Sequence, residues 1–573
     1  MMEEFVVDIE TDGLDPTVIH LAVVRNVRTN TVHVFTDSDH NDFAGLVSGH
    51  KLILHNGLVF DLPVLEKLWG YKHNGEVVDT LVLSRLFNPS REGGHSLKAW
   101  GETLGFPKGD FNDWSKLSDE MVEYCKQDTA VTRKLYQVLA KEGADFSSES
   151  IDLEHRVATL IAQQQKNGWL VDQRDAHMLL VKLQERRQEL ENEVHKTFKP
   201  IAKADKEIVL KYKKDGSLNA ANLRWMDNWS DVVWGNFSRI TWQEFNLSSR
   251  KQISERLIAL GWKPTKYTDK GSVIVDETVL ESVEDIPECK LISEYFLITK
   301  REAMLSNIIN HIEDDDRVHG YVNSNGAVTG RMTHKNPNMA QIPAGYSLYG
   351  KEFRGIFTVP RNRKLVGCDA SGLEIRMLAH YMNDSEYTKI VLDGDIHTAN
   401  QEAAGLPTRD LAKTFWYALA YGAGDAKIGS IVGGTSEDGR KLKEKFFTNI
   451  PSLGSLVSRV QKAAKRGYLK GLDGRKLWIR SEHAALNTLL QSAGAIVMKK
   501  ALTILHETAT LNGIDFKFIG NIHDEIQTEV EWDQAEQFGV LAREAIIMAG
   551  EHFNMRCPLD GEYKVGLTWS ETH

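Results

Sequence analysis

A run that is apolar from end to end, followed at once by an acid and a tight turn, leaves a chain few options. Residues 365–368 are Leu, Val, Gly and Cys, which predict a buried strand, and Asp369 stands at its end. The chain then turns at Ala370-Ser371-Gly372, and Leu373, Met377 and Leu378 recur at helical spacing. A carboxylate at such a strand-to-helix junction is well placed to hold a metal ion rigidly, but it needs a second carboxylate from elsewhere. The best candidate is Asp524 in FKFIGNIHDEIQTEV, residues 516–530, which reads as strand, tight turn, strand with His523-Asp524-Glu525 at the turn. Two aspartates on neighbouring strands can hold a pair of divalent cations about 3.5–4 Å apart and clamp an in-line phosphoryl displacement. The plainer alternative is that Asp369 caps the following helix and Asp524 is a turn residue. Taken singly, neither acid decides between the two.

The rest of the chain sets bounds. Its 573 residues predict about three to five domains. Four scattered cysteines with no CxxC pair argue against a disulfide framework or a zinc site and fit a reducing cytosol. The start, MMEEFVVDIE, has no basic segment leading into a long apolar core, so no signal peptide is expected. No run of about 18 apolar residues is read in the chain, so no membrane span is expected. A net charge of −11 argues only mildly against nucleic acid, because phosphate binding depends on local patches and acidic metal sites lower the total.

The first 147 residues carry a second acidic constellation. Phe5–Glu10 (FVVDIE) alternates as a strand does, so Asp8 and Glu10, two apart, point to one face. A second strand, KLILH, runs into Asn56-Gly57, with Asp61 at the head of a helix, and Asp79-Thr80 opens another. Residues 121–139 read as a helix on which Tyr124 and Asp128, four apart, share a face. Four carboxylates around one point repel and raise each other's pKa unless cations are bound. The economical reading is a two-metal nuclease site in which Tyr124 hydrogen-bonds the attacking water. The alternative is four unrelated surface acids. The ordered set DIE, HNxxxxD and YxxxD resembles the DEDD-type 3′→5′ proofreading exonucleases of the tyrosine-bearing class. That resemblance implies a ribonuclease-H-like mixed sheet, with Asp8, Glu10, Asp61 and Asp128 as metal ligands.

From 148 to 303 the pattern is a helical arm. Residues 150–165 are amphipathic, and 175–197 form a long helix of both charge signs. Between 196 and 214, seven lysines stand against Asp205 and Glu207, which suits a phosphate backbone or an ordinary solvated face. Trp225, Trp229, Trp234 and Trp242 crowd the next stretch, where core filling is favoured over stacking on bases. Lys300-Arg301 are candidate phosphate contacts.

The last 250 residues or so carry the most specific pattern. Residues 323–343 are polar, turn-rich and basic, and Arg331 is the residue to set against DNA. After GDIHT, Pro407-Thr408-Arg409-Asp410 opens a long helix with Thr408 as its cap. Arg409, Lys413 and Tyr417, four apart, make a stripe that matches a triphosphate lying along the helix, or else an exposed cationic stripe with a core tyrosine. The combination is more telling. DASGLEIRMLAH, GDIHT, PTRDxAKTFxYxxxYGAGD, KGLDGRK, HAALNTLLQSAGA and HDEIQ occur in this order. This is strongly similar to family A DNA polymerases, and within them to the replicative enzymes of T-seven-type short-tailed phages.

The resemblance implies that Asp369 and Asp524 bind two Mg²⁺, for which Mn²⁺ can substitute, helped by the Ala370 carbonyl. Arg409, Lys413 and His397 would bind the triphosphate, with Lys413 also protonating the leaving pyrophosphate. Tyr417 would sit by the sugar 3′ position, and Glu374 would exclude a 2′-hydroxyl. Tyr421 would stack near the templating base. His523 would contact DNA, and Arg331 and Gln491 would read minor-groove acceptors of the primer–template. A glutamate in a helix's first turn is favourable in any case, so Glu374 has a plainer reading.

The fold class expected is multi-domain α/β and α+β: a ribonuclease-H-like exonuclease domain, then a right-hand polymerase domain with an antiparallel palm sheet. The expected domains are exonuclease 1–147, thumb 148–303, palm 304–381 and 487–573, and fingers 382–486. Primer–template DNA and dNTPs are the expected partners, with a phage helicase-primase and a single-strand-binding protein, in the cytoplasm of an infected bacterial host; no membrane partner is expected. About 46 residues separate Phe198 from Phe245, too short for the long thumb insertion with which T-seven-type enzymes dock thioredoxin, so thioredoxin is a doubtful partner. The 5′-nuclease of bacterial polymerase I is expected to be absent. The competing functions are a gap-filling repair polymerase, a single-subunit RNA polymerase, and an inactive DNA-binding scaffold.

Overall fold

The computed structural model describes residues 2–204, 206–223, 235–238, 240–420 and 422–573. Contacts divide the chain into two units, Met1–Asp172 with His311–His573, and Gln173–Asn310.

Two sheets organise the larger unit. The first has five strands in the order Val32–Phe35, Ile19–Asn26, Glu4–Thr11, Lys51–Leu54, Val77–Asp79. Its first three strands are antiparallel and the last two join in parallel, which is the mixed sheet expected. Phe5, Val6, Val7 and Ile9 are all buried, so the strand that carries Asp8 and Glu10 is held from both faces. The helix Asp119–Glu142 packs on Glu4–Thr11 and Ile19–Asn26, which brings Tyr124 and Asp128 over the acids.

The second sheet is antiparallel, in the order Phe516–Ile522, Glu525–Glu531, Arg363–Ala370, Gly561–Gly566. The expected apolar strand is its second-from-edge member, with Leu365, Val366 and Cys368 buried. Helix Ala535–His552 packs on Arg363–Ala370 and Gly561–Gly566, and Ser148–Asn167 packs on Phe516–Ile522. The helix Ala485–Leu511 runs through the core. The stretch Glu482–Leu511 is long and apolar enough to cross a membrane by length and composition, contrary to the expectation from the bare sequence. Its apolar window is 83% buried within the fold, so it is a core helix.

Buried charge ties this core together. Glu154 accepts from Lys499 and from Arg475, each at 2.6 Å, and Arg475 reaches Asp473 at 2.6 Å. Two cations and two anions, none more than 2% exposed, cancel. Such a set is tolerated only when complete, because losing one partner strands a charge at a cost of about 3–5 kcal/mol. Asp473 and Arg475 sit in the turn of the hairpin Tyr468–Lys470/Lys476–Trp478. The same hairpin grips the first 147 residues: Trp478 Nε1 donates to the Phe87 carbonyl at 2.6 Å, and Lys476 pairs with Asp145 at 2.9 Å.

In the smaller unit the helices Gln173–Thr197 and Pro287–Ile309 pack side by side, joined by Arg186–Glu294 at 2.8 Å and Arg187–Glu302 at 2.6 Å. Several expectations change here. The helix Ser148–Asn167, read as the start of the arm, groups with the larger unit, where its buried residues Leu153, Val157, Leu160 and Ile161 join the core around Ala485–Leu511. Trp242 does not fill a core: on the ribbon Ile201–Ala204/Ile240–Gln243 it is 71% exposed. Trp225, Trp229 and Trp234 lie outside the described residues. Arg301 is buried, so of the Lys300-Arg301 pair only Lys300 faces outward.

Candidate active sites

Asp369 and Asp524 meet as their strands pair. Asp369 lies opposite Glu525 in the register of Arg363–Ala370 with Glu525–Glu531, one residue from Asp524. The Ala370 N–H donates to the Asp524 carbonyl at 3.1 Å. The hairpin needs only two turn residues because His523 takes a left-handed conformation at φ 61°. Asp369 does not cap the following helix: Gly372 is the cap residue, with no side-chain bond. Burial, then the Asp524 charge, pushes Asp369 up to about 7, and burial raises Asp524. Glu525 is turned into other company, accepting from Trp569 Nε1 at 2.7 Å and pairing with His573 at 2.8 Å.

The residues expected around these acids converge. Arg331 pairs with Glu374 at 2.9 Å. Burial, then the charges of Glu374 and Asp524, raises the Tyr417 phenol. His397 lies 6.4 Å from Tyr417 between ring centres, and burial followed by the Arg409 and Lys413 charges lowers its pKa. Arg331 and His523 line one crevice with Ala495 and Met498, and Gln491 shares their helix face at spacings of four and seven residues. Thr408 caps the helix Arg409–Ala420 as expected, its hydroxyl accepting from the Leu411 N–H at 3.2 Å. Tyr421 lies outside the described residues. Sequence reasoning missed Asp395. It caps the helix Ile396–Ala404 and holds Arg409 with two bonds, at 2.7 and 3.2 Å. Its signal was the GDIHT motif, where a helix-capping acid precedes His397.

The second constellation also assembles. Asp61 opens the helix Asp61–Trp69 and is buried, as are Glu10 and Asp128. Asp79 braces the loop before it, accepting from the N–H groups of Asn56 at 2.9 Å and Leu58 at 3.2 Å. Burial, then Asp128, pushes Asp8 up to about 7; burial, then Asp8, pushes Glu10 up to about 9; burial, then Asp8, raises Asp61 far above its usual range. Asp128 Oδ1 is buried with no hydrogen-bond partner among the described residues. Acids that are crowded, desolvated and left with an idle oxygen suit divalent cations. Two neighbours were not foreseen. Cys125 donates to Asp8 Oδ2 at 3.3 Å, and its sulfur lies within 4.8 Å of ligand oxygens of Asp8 and Glu10. Lys108 bonds Asp128 and lies over the Tyr124 ring.

These raised carboxylates give the metal-free protein a pH signature. Asp369, Asp8 and Glu10 keep protons in the folded state at pH values where an unfolded chain, near 3.8 for Asp and 4.5 for Glu, has lost them. The folded state therefore binds more protons across this window, and stability falls as pH rises through it. In chelator the melting temperature should drop by about 2–5 °C between pH 6 and pH 9, and divalent cations at pH 9 should restore it. A flat melting profile would contradict this crowding.

The family model for DNA polymerase family A matches residues 229–571. DNA-directed DNA polymerases of Enterobacteria phage T3 and Escherichia phage T7 are each 35% identical to the chain, over 99% of both sequences. The chain belongs to DNA polymerase family A. DNA polymerase I of Aquifex aeolicus is 26% identical over 98% of the polymerase and 95% of its own length. In fold, the polymerase superposes on the POL domain of Pol1 from M. smegmatis, solved as a complex with DNA primer-template and dNTP. The TM-score is 0.81 at 19% identity, covering 100% of the polymerase and 96% of that chain. Family membership carries with it dependence on divalent metal.

Proposed function

We propose that this polymerase extends a DNA primer along a template with dNTPs, and that its first 147 residues remove mispaired 3′ nucleotides. The observation that carries the first part is the meeting of Asp369 and Asp524 beside Glu374, Tyr417, His397 and Arg331. The second part is supported by Asp8, Glu10, Asp61 and Asp128 acting on one another, with the Asp128 and Glu10 charges also reaching Tyr124. We assign 1–147 to the exonuclease, 148–303 to the thumb, 304–381 and 487–573 to the palm, and 382–486 to the fingers.

Mg²⁺ is the cation proposed for both sites, held by Asp369, Asp524 and the Ala370 carbonyl in one and by Asp8, Glu10, Asp61 and Asp128 in the other. When bound, it acidifies the attacking hydroxyl or water and stabilises the leaving group. The protein supplies the rest. Arg409, Lys413 and His397 receive the triphosphate, which requires Arg409 to exchange Asp395 for phosphate. Lys413 donates a proton to pyrophosphate. Arg331 and Gln491, with His523 nearby, read the primer–template, and Tyr421 stacks on the template side. Catalysis of this kind is positioning and charge stabilisation. Closure of the helix Arg409–Ala420 over a correct pair would set specificity.

We infer replication in the cytoplasm of an infected bacterium, a reading the phage origin of the relatives supports, and we propose a helicase-primase and a single-strand-binding protein as partners. Primer extension on a long primed single strand, with dNTPs or NTPs and with or without thioredoxin, tests the reading. Extension over thousands of nucleotides with dNTPs supports replication, synthesis that stops after a few nucleotides supports gap filling, and NTP preference overturns both. Glu374→Ala should raise ribonucleotide incorporation roughly 10–200-fold relative to deoxyribonucleotide, the scale on which one pocket contact discriminates. An unchanged ratio removes Glu374 from sugar selection.

A further inference from the structure

The excision site carries a cation of its own. Lys108 lies between the helices Leu97–Thr103 and Asp119–Glu142. Its ammonium bonds Asp128 Oδ2 and stands 4.8 Å from the centre of the Tyr124 ring. Its charge also reaches Asp8 and Glu10, where it partly offsets the mutual repulsion of the acids. Burial works against charge on Lys108, and Asp128 more than compensates, holding the ammonium protonated. The Lys108 side chain is 25% exposed, while that of Asp128 is 3%. Gly109 lies flat against Tyr124, where a Cβ would come within 3.3 Å of the ring. This stretch is therefore fitted to the helix that bears both Tyr124 and Asp128.

We propose that Lys108 is a resident counter-ion that competes with divalent metal for Asp128, so that excision demands more metal than its four carboxylates alone would require. The inference rests on the reading of Asp8, Glu10, Asp61 and Asp128 as a metal-dependent excision site. Its physical basis is a count of charge. Four carboxylates are neutralised by two dications, and a further positive charge held at the same point opposes the second. Without metal, the same ammonium spares Asp128 a buried charge with no partner. Loading the site must therefore push the ammonium off Asp128, and its partial exposure gives it a way out toward solvent.

Metal binding tests this more directly than turnover does. Bound Mn²⁺ would be counted by electron paramagnetic resonance on the full-length chain, with Asp8→Ala plus Glu10→Ala defining the ions of this site. Lys108→Met is expected to tighten those ions roughly tenfold or more. It should lower by the same factor the Mn²⁺ needed for half-maximal removal of nucleotides from a single strand. Lys108→Gln keeps a donor to Asp128 without the charge and should match Lys108→Met, which guards against misfolding. Lys108→Arg keeps the charge and should bind Mn²⁺ as the unaltered chain does. Weaker or unchanged binding in Lys108→Met and Lys108→Gln would overturn the proposal, because a lysine that only props Asp128 costs metal when removed. If Asp8→Ala with Glu10→Ala sheds no Mn²⁺ and the unaltered chain excises nothing, the excision reading itself fails and takes this proposal with it.

Discussion

Asp369→Asn and Asp524→Asn are each expected to cut primer extension by about 10³-fold or more, while removal of 3′ nucleotides continues at its original rate. The size follows from what either carboxylate does. On the proposed reading each would supply ligand charge to cations whose stabilisation of a phosphoryl transition state is worth several kcal/mol, and about 4 kcal/mol is already 10³-fold in rate. The asparagine is nearly isosteric, so the pairing of Arg363–Ala370 with Glu525–Glu531 should survive. Folding should even gain slightly without metal, because burial disfavours both charges. Gel-resolved extension of a labelled primer measures the effect. Extension within tenfold of the unaltered enzyme in either variant would mean that the two acids do not share metal.

The mirror experiment is Asp8→Ala with Glu10→Ala. Excision should fall by a similar factor, about 10³-fold or more, with extension of a matched primer unaffected. Extension of a mispaired primer should change character, since the wrong nucleotide would be retained and slowly extended. The two acids lie on one face of Glu4–Thr11, a strand whose neighbours are buried apolar residues. Replacing them removes repulsion and leaves the packing of Phe5, Val7 and Ile9 alone. Residual excision near the original rate would shift the assignment to other groups.

Local chemistry was well legible in the sequence. An apolar run ending in Asp369, a hairpin with His523-Asp524 at its tip and a DIE strand each follow from short-range rules of burial and turn geometry. The ordered motifs supplied the partners of those acids. What escaped was convergence between distant segments. Lys108 reaches Asp128 from another part of the chain, and Asp395 holds Arg409 across a helix break. Glu154 meets Lys499 345 positions away. Asp395 had at least the GDIHT motif to mark it, but the lysines had no local signature, because a lysine that bonds a buried acid looks the same in sequence as one on a solvated loop. The packing partner of the arm's first helix escaped for a related reason. The stripe on Ser148–Asn167 announces an apolar partner without saying which one, and that partner proved to be the core around Ala485–Leu511.

The hairpin Tyr468–Trp478 has a consequence for how errors are handled. Its turn is anchored in the charge-paired interior and its outer edge clasps Phe87 and Asp145, and the Asp369–Asp524 pair and the cluster around Asp8 and Glu10 belong to one unit. If both centres act as proposed, a faulty end has to pass from one to the other across this unit. On that reading the journey would fall to the nucleic acid, melting and threading from one basin to the other. How often a growing strand is corrected would then be governed by how readily its terminal pairs open, so AT-rich termini should be edited more often than GC-rich ones even when correctly matched.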